Sequence, residues 1–176
     1  MSNVDDLPPH ILKPEIHWKR AKGYLELEMY EFAQKELRAL PAEEPWVKRS
    51  SVFNLSIYQE LENWEEAQKI ARGLRYEFSE EVDWWIADAY ATRRFESITE
   101  ARSILLEGLA LHYDDGLIRF NLACYACVLK SPRECIDFLK EAVKRDEKFK
   151  LMAIEDDDLI DVREELLKLG WGKAIV

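Results

Sequence analysis

The chain has 176 residues, 48% of them apolar and 34% charged, with only six glycines and six prolines. That is long enough for a core needing neither disulfide nor metal, and rich in helix formers without any low-complexity block. A formal net charge of -10 argues against nucleic acid as a partner, since such binding depends on clustered Lys and Arg releasing counterions. The opening, MSNVDDLPPHILKPE, has no cationic segment leading into a long apolar run, so no signal peptide and no membrane partner are expected, and the location expected is cytoplasmic.

Residues 1–13 lack a helical period, and Pro8-Pro9 forbids a helix interior, which predicts an extended N-terminal arm. From Pro14, a favourable first-turn residue, Ile16, Ala21, Tyr24 and Leu25 follow at helical spacing, then Phe32, Ala33, Leu37 and Leu40. This predicts an antiparallel helix pair stopped by Pro41 and Pro45. A second pair follows, SSVFNLSIYQELE with Ser50 or Ser51 as candidate cap, then WEEAQKIARGLRYEF after Asn63. The third runs VDWWIADAYATRRF and ITEARSILLEGLALHY, with Ser97 and Glu100 spaced as a capping box, and Asp114-Asp115-Gly116 closes it. The fourth runs LIRFNLACYACVLK to Ser131-Pro132, a cap followed by proline at the first helical position, then RECIDFLKEAVKRD.

Across these pairs Ala33, Ala67, Ala101 and Cys135 recur every 34 residues, each four before Leu37, Ala71, Leu105 or Leu139. A unit that cannot bury its apolar face alone buries it against its neighbours, so the period implies a stack of about four units. A nonrepetitive bundle explains amphipathic helices but not this recurrence without an insertion.

The residues resemble the tetratricopeptide repeat. In windows 14–47, 48–81, 82–115 and 116–149 the motif's small eighth position holds Ala21, Leu55, Ala89 and Ala123. Its aromatic eleventh position holds Tyr24, Tyr58, Thr92 and Ala126, and its small twentieth the four residues of the period. Tyr30 and Trp64 match the turn aromatic, Trp85 the fourth-place tryptophan and Pro45 the terminal proline. Leu55, Thr92, Ala126, Ser79, Tyr113 and Glu147 depart from the pattern. The resemblance implies an all-α fold, a right-handed α-solenoid of about four helix-turn-helix units. Residues 150–176 resemble the capping segment that follows the last repeat in bacterial members. There Asp157 or Asp158 is expected to cap a helix that Gly170 ends after Lys168.

Family groove positions carried over to this chain give Trp18, Lys22, Phe53, Gln59, Tyr90, Arg93, Arg94, Phe120 and Asn121. Trp18, Phe53, Tyr90 and Phe120 are expected either to form a row of aromatic anchors or to pack between adjacent helices. Arg93 and Arg94 suit a carboxylate, or lie solvated at a helix end. Members that hold the acidic tails of heat-shock chaperones use a Lys and Asn clamp, where this chain has Trp18, Lys22, Phe53, Asp83 and Ala87, so that activity is not expected.

Cys124 and Cys127 form a C-x-x-C, but neither a strand-turn-helix nor a second pair accompanies it; core or groove-wall thiols are expected rather than a redox or metal centre. Glu155 to Asp158 lacks the alternating ligands and glycine of a calcium loop and reads as an acidic helix start. His10, His17 and His112 are scattered and no glycine-rich phosphate loop is present, so no catalytic residue, no metal and no cofactor are expected. The function expected is a noncatalytic interaction module holding a peptide or helix of a partner protein in a concave groove. The alternative is a secretion-type or assembly chaperone, which co-purification with an aggregation-prone client would distinguish.

Overall fold

A computed structural model describes residues 12–172, so most of the predicted arm at 1–13 lies outside the described residues. The described residues form ten α-helices and no strand. They are α1 (Pro14–Glu26), α2 (Tyr30–Arg38), α3 (Trp46–Glu60), α4 (Trp64–Glu77), α5 (Val82–Phe95), α6 (Ile98–Leu111), α7 (Gly116–Val128), α8 (Pro132–Arg145), α9 (Lys148–Glu155) and α10 (Arg163–Lys168), with a short 3-10 helix, Asp157–Val162, before the last. Helices α2, α4, α6 and α8 begin at 34-residue intervals. The chain divides into two compact units, Met1–Asn63 and Trp64–Val176.

In the first unit Ala21, Ala33, Leu37 and Ile57 form the buried core, with Trp18, Tyr24, Leu25, Tyr30, Leu40 and Phe53 packed around it. Two residues expected on the apolar face turn outward, Ile16 at 40% and Phe32 at 51% exposure. Phe32 covers Tyr24 instead, ring centroids 5.5 Å apart. Helix α3 starts at Trp46 after Pro45, so Ser50 and Ser51 lie inside the helix and neither caps it. Once proline has set the chain direction, the helix begins earlier than the serines suggest.

In the second unit the core runs from Trp85, Ala89, Ala101 and Leu105 through Ile118, Leu122, Ala123, Cys135 and Leu139 to Phe149, Leu159, Leu166 and Trp171. Leu159, Val162, Leu166 and Trp171 of the terminal segment are buried in this core, while Leu151, Ile160, Leu167 and Leu169 are exposed. Trp85 lies so close to Gly108 that a methyl there would sit 3.0 Å from the indole. The indole N–H donates to the Ser79 carbonyl at 2.8 Å. His112 Nε2 reaches the same oxygen at 3.0 Å, and a carbonyl only accepts, so the Nε2 carries the hydrogen.

A buried polar chain joins α4 to α5. Gln68 donates to the Thr92 hydroxyl at 2.9 Å, which donates to Asp88 at 3.1 Å. Asp88, fully buried, accepts from Arg75 Nε at 2.7 Å, and Arg72 stands 3.7 Å away. Burial pushes the Asp88 carboxyl above its ordinary range, and Arg75 only partly offsets this.

The period is written into the turns as well. Met29, Asn63, Ser97 and Ser131 each donate a backbone N–H to the carbonyl five residues earlier, Tyr24, Tyr58, Thr92 and Ala126. This is the long bond of a Schellman turn. Three of the four turns hold a left-handed residue at matching positions, Glu28, Glu62 and Lys130, with φ of 57°, 52° and 62°. Ser97 accepts from Glu100 N–H at 3.1 Å, while its own N–H is taken by Thr92; half of the expected capping box forms.

Two outcomes follow for stability. Glu62→Gly removes a left-handed strain of about 1 kcal/mol, and thermal unfolding should rise by roughly 2–4 °C; an unchanged or lower midpoint would contradict the turn assignment. Arg75→Met leaves Asp88 buried with only the more distant Arg72, and urea unfolding should show a loss of about 3–5 kcal/mol. The double variant Arg75→Met, Asp88→Leu should recover most of that loss.

Candidate partner-binding site

The first unit holds Trp18, Lys22, Phe53 and Gln59. Trp18 and Phe53 are half-buried against each other, ring centroids 4.7 Å apart, with Trp46 at 6.4 Å. The Arg49 guanidinium lies over both indoles, 5.9 Å from Trp18 and 5.1 Å from Trp46. These rings are occupied with one another. Lys22 is exposed and Gln59 half-buried. His17 Nδ1 lies 2.6 Å from Glu36, which ties α1 to α2.

In the second unit Tyr90, at 38% exposure, meets Trp64 edge-on at 5.7 Å. The exposed Arg94 guanidinium lies 4.0 Å from the Tyr90 ring centroid and 4.9 Å from that of Trp64. A guanidinium laid on aromatic faces keeps its in-plane N–H groups free for planar anions. Arg94 makes no ion pair among the described residues.

Arg93, one residue earlier, points elsewhere. It lies over Tyr125, 5.2 Å from the ring, and grips Asp158 with both terminal nitrogens, Nη2 to Oδ1 at 2.8 Å and Nη1 to Oδ2. The pair holds the Arg93 guanidinium above its ordinary value, while burial raises the Tyr125 phenol to about 12 despite the cation over it. Phe120 is 4% exposed and stacks on Phe149 at 5.4 Å. It belongs to the core and presents no ring to a partner. Asn121 is half-buried and donates to the Leu117 carbonyl one turn back at 2.9 Å.

One grouping is invisible in the sequence. Cys124, Asp156 and Asp158 bring their ligand atoms within 4.8 Å of one another. Each is already engaged: the thiol reaches Asp156 at 3.8 Å, Asp156 also accepts from the Asp158 N–H at 2.9 Å, and Asp158 is held by Arg93. The cation of this cluster is a guanidinium. Asp156, not Asp157 or Asp158, caps the 3-10 helix, because its extended backbone directs its carboxylate to the amide two residues on. As expected, Gly170 follows the last helix, in the left-handed region with φ 83°.

The resemblance marks both Arg93 and Arg94, but no local pattern tells which of the two turns inward, and none signals Asp158, which lies 65 residues from Arg93.

No protein-family profile matches the chain, and no curated protein matches it in sequence. Its fold is shared with solved structures of MamA. The structure titled MamA AMB-1 is 14% identical over 80% of this chain and 76% of its own, with a TM-score of 0.62. MamA MSR-1 is 14% identical over 81% and 82%, again at 0.62. A further crystal structure of MamA is 10% identical over 88% and 86%, at 0.67. At such identities the likeness shows the fold alone: an all-helical, tetratricopeptide-like solenoid.

No helix among the described residues is long and apolar enough to cross a membrane. Burial raises all three thiols, Cys124, Cys127 and Cys135, above their ordinary range, which removes the nucleophilic thiolate. Ellman's reagent at mildly alkaline pH should therefore label none of the three in the folded protein and all three in urea. Fast labelling of one thiol without denaturant would show that the α7–α8 core is open.

Proposed function

We propose that the protein is a noncatalytic interaction module that holds a peptide or helix of a partner protein, with four repeats over 14–149 and a capping segment from 150. The observation that carries this reading is the exposed α5 surface of Tyr90 and Arg94, where an aromatic ring supports a guanidinium with free donors. Such residues contribute most to recognition when a partner covers them, the ring through apolar area and the arginine through planar hydrogen bonds.

The contact surface proposed in the second unit is Tyr90 and Arg94 of α5, with the half-buried Asn121 and the exposed Leu117 of α7. Lys22 and Gln59 remain as polar contacts of the first unit, where Trp18 and Phe53 support the surface from within. Phe120 is left out because it is buried, and Arg93 because Asp158 holds its guanidinium.

Tyr90→Asp places a charge where a partner's apolar face would lie, yet removes no core packing. In affinity capture from lysate, the partner held by the parent protein should be lost, while circular dichroism stays that of a folded helical chain. A partner retained by that folded variant would move the contact away from α5.

A further inference from the structure

We propose that the last turn of α5 carries two separate carboxylate seats, one at Arg93 filled by the chain's own Asp158 and one at Arg94 open to an acidic side chain of the partner. The biological use rests on the reading of α5 as the contact surface; the chemistry rests on the pair itself.

Three arginines of the second unit sit over aromatic rings. Arg75 lies 4.7 Å from both Tyr76 and Trp85, Arg93 lies over Tyr125, and Arg94 lies over Tyr90 and Trp64. In the first two, the ring takes the flat face and a carboxylate takes the edge: Asp88 for Arg75 and Asp158 for Arg93. Arg94 has the same aromatic support and no carboxylate among the described residues. The chain itself thus shows which anion such a seat accepts.

The occupant of Arg93 differs from that of Arg75 in exposure. Asp88 is sealed in the core, whereas the Arg93 and Asp158 side chains are 24% and 26% exposed. A solvent-reachable bidentate pair can exchange one carboxylate for another of the same geometry. Asp158 belongs to a short 3-10 helix whose apolar residues Leu159 and Val162 are buried, so the segment stays docked by packing when the carboxylate lets go. Asp158 thereby lowers the apparent affinity of Arg93 for an external carboxylate by the fraction of time it occupies the site.

The test is a titration of the full chain with glutarate at neutral pH and low salt, following the guanidinium Nε–Hε resonances of Arg93 and Arg94 by NMR. In the parent protein the Arg94 resonance should shift and that of Arg93 should not. In Asp158→Asn both should shift, with Arg93 responding at glutarate concentrations at least about tenfold lower than in the parent because its internal competitor is gone, and with Arg94 responding as in the parent. Adding Arg93→Gln to that variant should leave only the Arg94 response, and Asp158→Glu, which keeps the occupant, should behave as the parent.

An Arg94 resonance indifferent to glutarate in the parent overturns the open seat. A folded Asp158→Asn protein whose Arg93 resonance does not respond to glutarate overturns the filled seat, as does loss of the capping segment's amide dispersion in that variant, which would make Asp158 a structural tie. Glutarate is read on the arginines and needs no partner. Failure here therefore leaves the Tyr90 test standing, and failure of the Tyr90 test leaves this one standing.

Discussion

Helices packed 8 to 10 Å apart leave no space for a large side chain where their axes cross, and the rest of this structure depends on how that constraint is met. Ala33, Ala67, Ala101 and Cys135 are fully buried, as are Ala21, Ala89 and Ala123 on the partnering helices. Small residues at these points allow the backbones to approach, and larger neighbours such as Leu37, Leu105 and Leu139 fill the flanks. Gly108 carries the same logic further, since the Trp85 indole occupies the space a methyl would need.

The turns follow from the same spacing. An antiparallel return at a crossing this tight needs a connection of about three residues, and the Schellman bond provides it by reversing the chain while satisfying terminal carbonyls. Glu28, Glu62 and Lys130 accept the left-handed backbone at a cost because the geometry of the pair demands it. At the third turn Glu96 has φ -109° instead, and the long bond to the Thr92 carbonyl still forms. Thr92 departs from the aromatic of that position for a visible reason: its hydroxyl links Gln68 to Asp88, and a ring would take that acceptor from Gln68 and leave Asp88 one donor short.

This division explains what could be read in the chain. Helix positions and the 34-residue period are local properties, carried by proline, small residues and apolar spacing, and the helices stand where those signals put them. Serine caps were less legible: Ser97 caps its helix, whereas Ser50 and Ser51 do not, because a cap exists only where the helix happens to begin. The groove residues were the least legible. Phe120 and Tyr90 carry equivalent signals in sequence, yet Phe149 of α9 stacks on one ring while the other stays exposed. Which ring is covered depends on residues about 30 positions away, as does the Cys124 contact with Asp156.

The same nonlocality governs charge. In a chain of net charge -10, carboxylates outnumber the guanidinium groups that pair with them, so an arginine without a carboxylate is the less expected state. Arg49 and Arg94 are both in that state among the described residues, each lying on two aromatic rings. Aromatic stacking stabilises the flat face of the cation without using its donors, so these arginines stay ordered while their edges remain available. A surface of this kind is selective by sign. It repels cationic segments and rewards an acidic residue placed beside an apolar one, and the overall negative charge of the chain slows approach of such a ligand unless the ligand also brings apolar area to cover Tyr90. Under the proposed function, recognition at α5 would therefore require both features at once, which is a stricter demand than either the aromatic ring or the arginine would impose alone.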